Sequence, residues 1–141
     1  MANDDFISSS NFKVKIEGMN WDTFESVSGV GVDVEDIPFQ TDKNSIENRP
    51  GRSNARDIIL TRRFKKDKEL YSWMKDVQNG KINRKSGSVA LLDDEGKEIV
   101  RFNFENSWPK SWTPPTLSKA IGGNDTPMET IVLSVGHVEM V

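Results

Sequence analysis

The sequence predicts a mainly β fold, a small β-sandwich or partial barrel with one flanking α-helix. Three observations predict it. Apolar and polar residues alternate in about six or seven short runs between Phe12 and the carboxyl terminus. A single segment, residues 67–79, carries apolar residues at helical spacing. Glycine, proline and serine punctuate the runs, and no internal repeat appears.

Residues 1–10, MANDDFISSS, read as a flexible amino-terminal tail ahead of one β domain over residues 11–141. In the first run Phe12, Val14 and Ile16 oppose Lys13, Lys15 and Glu17, the period of a half-buried strand. A second extended run covers Trp21 to Val27. In SGVGVDVED, Val30, Val32 and Val34 alternate along a further strand, with a bulge expected near Gly29 or Gly31. Pro38 to Ala55 shows almost no hydrophobic period and reads as a long polar loop, with Phe39, Ile46 and Arg49-Pro50-Gly51 arguing against plain disorder.

Arg56 to Phe64 is a strand with apolar residues on both faces at Ile58, Ile59 and Leu60. In the helix, Leu70, Trp73, Met74 and Val77 form one stripe; Asp67 is positioned to cap it and Gly80 to stop it. SVALLDDEGKEIVRFNFEN predicts a hairpin turning at Gly96. Its second strand is expected to break at Asn106, leaving Trp108 and Trp112 in a Pro/Ser/Gly-rich loop to Pro127. Met128 to Val141 is the last strand, with Ile131, Leu133 and Val135 on one side.

The 141 residues suit one domain, which buries about 70% of its unfolded surface and needs no staples. Without cysteine there are no disulfides, thiolate metal sites or cysteine nucleophiles, and His137 alone cannot build a multi-histidine metal site. The net charge of -3, well mixed, gives no support for strong binding to nucleic acid or anionic lipid. The basic cluster Arg62, Arg63, Lys65, Lys66 and Lys68 has acidic neighbours and reads as solvated surface. The amino terminus lacks the pattern of a secretory signal, and no run is long enough to span a bilayer. Synthesis in the cytoplasm without membrane insertion is therefore expected.

Catalytic patterns do not assemble. Gly29 and Gly31 lack the third glycine of a dinucleotide loop, there is no phosphate loop, and no serine sits on a GxSxG elbow. Asp93-Asp94-Glu95-Gly96 suits a turn better than a calcium loop. The chain is expected to be no enzyme and to need no cofactor. What the sequence leaves unsatisfied is surface: strands apolar on both faces, one short helix to cover them, and sheet edges with free backbone groups. Further copies of the chain would complete it, in closed rings if the contact runs head to tail.

VSGV at 27–30, NRPGR at 48–52, IILTR leading to DKELYSWM at 58–74, GSVALLDDEGKEIVRFNFENSWPKSW at 87–112 and METIVLSVGHVEMV at 128–141 occur in the order seen in tail-tube proteins of contractile phages. The chain resembles that family and the inner-tube proteins of related contractile injection systems; the hairpin followed by N-x-W-P is the most specific part. The resemblance implies hexameric rings whose sheets merge between subunits into a ring barrel. The rings stack into a tube inside a contractile sheath, with baseplate and tube-terminating proteins as further partners and DNA or protein effectors as cargo in the lumen. It likewise implies a fold similar to the haemolysin-coregulated protein of type VI secretion, and incorporation in a phage tail or injection particle.

Carried onto this chain, the family's extended inter-subunit loop falls at about 37–55, with Phe39, Gln40, Ile46, Arg49 and Pro50 as contact residues. Asp36-Ile37-Pro38-Phe39-Gln40 stands where the family usually has an acidic–tyrosine–arginine pattern. Trp108 and Trp112 are expected to be aromatic anchors, and Lys13, Lys15, Arg101 and Asn103, on polar strand faces, are candidates to face the lumen. Two other readings compete. One is a lectin-type carbohydrate-binding module stacking sugars on Trp21, Trp108 and Trp112; the other is a small hydrolase using His137.

Overall fold

A computed structural model describes residues 11–19, 24–117 and 126–141. The expected tail, Trp21 and part of the Pro/Ser/Gly-rich segment lie outside the described residues. In chain order the elements are β1 (Phe12–Ile16), β2 (Ser26–Ser28), β3 (Val32–Gln40), β4 (Ile46–Ala55), β5 (Ile58–Arg63), α1 (Glu69–Gln78), β6 (Lys85–Leu92), β7 (Glu98–Thr113), β8 (Met128–Ser134) and β9 (His137–Met140).

All pairings are antiparallel; apart from β3 with β4, they make two sheets that share one strand. The amino-terminal half of β7 lies between β6 and β9, with β1 beyond β6. Its carboxyl-terminal half pairs with β8, which is followed by β5 and β2. Alternation decides which residues face inward. Val14, Ile16, Val89 and Phe104 from the first sheet meet Ile58, Leu60, Ile131 and Leu133 from the second in one buried cluster. Leu70 and Trp73 of α1, the first two residues of the helical stripe, join it.

Asn106 does not end the strand as its sequence context predicts. It takes φ 56°, a left-handed conformation that asparagine tolerates, and the chain turns and continues as β7 through Thr113. Across from it the last strand also turns, at Gly136, so Met128–Val141 forms two strands and not one. Gly136 N–H donates to Glu105 O at 3.0 Å, and a Cβ on Gly136 would stand 2.9 Å from Asn106 Cβ. The two turns together carry the chain from one sheet to the other.

Residues 38–55 differ most from expectation. They are no loop: β3 and β4 form a two-stranded hairpin, paired from Val32–Ala55 to Gln40–Ile46 with a bulge between Val34 and Asp36. All nine residues of β3 are exposed. A ribbon that buries neither face needs no hydrophobic alternation, which is why none shows in the sequence. The arm grows out of the second sheet, since β2 leads to β3 and β4 leads to β5. Gly29 permits the join: at φ +84° its missing Cβ would fall 2.1 Å from Asp57 O. Arg56 N–H donates to Gly31 O at 2.9 Å, and the Arg56 guanidinium grips the Asp33 carboxylate at 2.8 Å.

Helix α1 is shorter than residues 67–79. Gly80, at φ +86°, supplies the stop, its N–H donating to Val77 O at 3.1 Å. Asp67 is not the cap; Lys68 holds that position without a side-chain bond. The Asp67 carboxylate pairs with Arg62 at 2.8 Å and accepts only a long bond, 3.4 Å, from Glu69 N–H at the start of the helix. The β6–β7 hairpin turns as expected at Gly96, φ +87°, and Asp93 Oδ1 accepts from Glu95 N–H at 2.9 Å and Lys97 N–H at 2.8 Å. That carboxylate serves the turn.

Candidate assembly surfaces

The first surface is the arm. Ile37, Arg49, Phe39 and Glu47 share one of its faces, and the Arg49 guanidinium lies 5.7 Å from the Phe39 ring centroid, a cation–π contact. Pro50, Gln40 and Ile46 lie on the other face. At the tip Thr41 N–H donates to Ser45 O at 2.8 Å and Asn44 takes φ 61°, so the turn is closed. Ile46, next to it, is 75% exposed. The five predicted inter-subunit residues thus fall on one ribbon but divide between its two faces.

The second surface is the outer face of the first sheet. The registers place Lys13, Ala90 and Arg101 in one row, and Lys15, Ser88, Asn103 and Glu139 in the next. All four predicted lumen residues therefore share one face, bordering a trough of about 670 Å³. Its charges are mixed: Glu17, Glu98 and Glu105 line it too. Arg101 Nε donates to Glu98 at 3.1 Å. Glu17 accepts from the Ser86 N–H and hydroxyl, and these bonds hold its carboxyl below the usual glutamate range.

A third surface escaped the sequence reading. With Ile58 and Leu60 buried, the alternate residues of the second sheet turn outward. Ser26, Thr61, Thr130 and Thr113 make one row, and Ser28, Ile59, Val132 and Ser111 the next. This face is covered by hydroxyls and short apolar groups. The signal was present as the Thr/Ser alternation of β8, but nothing marked which strands would stand beside it.

The basic cluster changes character in the structure. Arg62 is not solvated surface; it is 1% exposed, on the same parity as Ile58 and Leu60. Its Nε–H donates to Glu129 at 2.6 Å, and its Nη2 to Asp67. Trp112 Nε1–H donates to the second Glu129 oxygen at 3.0 Å. A buried cation is tolerable only with such partners. Above the network Phe64, Tyr71 and Trp112 form an apolar pocket of about 390 Å³, rimmed by Lys65, Lys66 and Lys68. The Tyr71 and Trp112 rings are 5.2 Å apart.

The tryptophans do not make one platform. Trp112 pairs with Ile131 and packs against the core, whereas Trp108 pairs with Ser134 on the outward row. They belong to opposite faces of the strand, so a sugar could not stack on both. His137 is exposed opposite Glu105, and among the described residues no group of three or more His, Asp or Glu could hold a metal ion. No helix among the described residues is long and apolar enough to cross a membrane.

Comparison with known proteins agrees with the architecture. The family model of T4-like virus tail tube protein gp19 matches residues 8–139. A chain of the PVC sheath–tube complex, an extracellular contractile injection system in its extended state, superposes with a TM-score of 0.86 at 26% identity, covering 99% of this chain and 93% of that one. A chain of the PVC sheath/tube terminator reaches 0.87 at 27% identity, covering 99% of both. Hcp1 from Flavobacterium johnsoniae shares the fold at TM-score 0.60 and 15% identity, over 92% of this chain and 94% of that one. Among curated proteins none matches.

Proposed function

The chain belongs to the T4-like virus tail tube protein gp19 family, and we propose that it is the structural subunit of the inner tube of a contractile injection particle or phage tail. Hexameric rings of it stack into a hollow tube that conducts DNA or protein effectors after the sheath contracts. Its role is passive and not enzymatic. The observation that carries this reading is the family match over residues 8–139. A sheath protein, a tube terminator and a baseplate are the partners, the first two by likeness to the PVC assemblies. Nothing supports the carbohydrate-binding alternative. Electron microscopy of the purified chain, alone and with its sheath protein, tests the proposal. Rings and tubes are expected; a monomer at every concentration in both conditions overturns it.

Within that reading the trough bearing Lys13, Lys15, Arg101 and Asn103 is a wall whose charges largely cancel, so cargo of either sign would slide. A second reading puts the hydroxyl face of the second sheet at the lumen, favoured by one observation: the arm joins this sheet, following β2 and leading into β5. Because the chain has no cysteine, Lys15→Cys and Thr61→Cys separate the two. In end-capped tubes only the lumen thiol is shielded from a bulky maleimide.

A further inference from the structure

We propose that the pocket formed by Phe64, Tyr71 and Trp112 receives the tip of the arm of a second copy of this chain, with Ile46 as the inserted side chain. The inference rests on the tube reading and names the contact by which one subunit meets the next along the tube. Three observations carry it.

The first is position. The arm leaves the second sheet at the start of β5, while Phe64 directly follows its end, at Arg63. Six residues of strand separate them, about 20 Å at the usual rise. Arm and pocket thus lie at opposite poles of the same strand. Unless two copies exchange arms reciprocally, a contact between unlike poles repeats from copy to copy.

The second is shape. Phe64 and Tyr71 are 46% and 40% exposed, a large apolar surface left open on the rim of a buried network. Ile46 is 75% exposed beside a closed turn, held out on a hydrogen-bonded ribbon. The pocket, about 390 Å³, accommodates one branched aliphatic side chain with its flanking atoms.

The third is charge. Arm residues 32–55 hold five carboxylates against three cations, and at the tip Asp42 and Glu47 outnumber Lys43. The pocket is rimmed by Lys65, Lys66 and Lys68, which outnumber Asp67 and Glu129 in its lining. Arg62 beneath is already matched by Glu129 and Asp67, so the rim supplies the field that the arm meets.

The absence of cysteine provides a clean test. Tubes assembled from the Ile46→Cys/Phe64→Cys chain are oxidised and run on a denaturing gel beside tubes of an Ile46→Cys/Glu95→Cys control. A ladder of covalent oligomers from the first and none from the control is expected. Tubes of normal appearance without a ladder overturn the pocket while leaving the tube reading intact. Equal ladders from both chains mean random collision and overturn it as well. If wild-type chain makes neither rings nor tubes, both readings fall together. Independently, Lys65→Glu/Lys66→Glu/Lys68→Glu should lose stacking while rings persist. Adding Asp42→Lys and Glu47→Lys to that chain should restore it; failure to restore counts against the contact.

Discussion

Arg62 keeps its charge in the core because two carboxylates and good geometry compensate the lost water. Removing one member should cost more than the network contributes. Arg62→Leu leaves Glu129 buried and unmatched, and should destabilise the subunit by about 3–5 kcal/mol in urea denaturation. Arg62→Met combined with Glu129→Leu should recover most of that loss. The pair was readable in principle: Arg62 and Glu129 share the parity of residues that must be buried, but from sequence alone they are sixty-seven positions apart. Asp33 makes a different prediction. Hydrogen bonds from Arg56 hold its carboxyl below the usual aspartate range. A carboxyl lowered on folding contributes fully above its ordinary value, about 4, and loses that contribution as pH falls through the lowered one. The base of the arm should therefore loosen only in stronger acid. Exchange of the Arg56 amide, bonded to Gly31 O, reports it, and in Asp33→Asn that exchange should be fast already at neutral pH.

The elements divide by whether burial dictates their pattern. β1, β5, β8 and α1 were legible because one face of each joins the core. The arm was not, since it joins none, and a two-stranded ribbon alone is marginal in water. Its amides should exchange far faster than those of β5 and β8 in the isolated subunit and become protected on assembly, as hydrogen exchange with mass spectrometry would show. Ile46→Ser should leave subunit stability within about 0.5 kcal/mol, because an exposed side chain supports nothing in its own chain. Gly87 makes the opposite case. A Cβ there would stand 2.5 Å from Phe104 Cζ and 2.6 Å from Lys15 O, so Gly87→Ala should cost about 1–3 kcal/mol in the same denaturation. The turn in β7 was hidden for another reason: asparagine before a tryptophan and a proline reads as a strand end, and only the opposing Gly136 shows that it is a corner.

For the whole molecule, the composition gave no layout of surfaces, which depends on which strands become neighbours. Trp108→Ala removes a large half-buried ring at the corner between the sheets. It should lower tube yield or subunit stability without altering any reaction, and unchanged tube length and melting would reject an anchoring role. Because β7 is a single covalent ribbon woven through both sheets, they cannot glide over one another as separate plates; any shear between them must bend the chain at Asn106 or disturb the ladders on either side. A particle that drives such subunits forward as a piston would deliver its thrust through a body stiffened by its own thread.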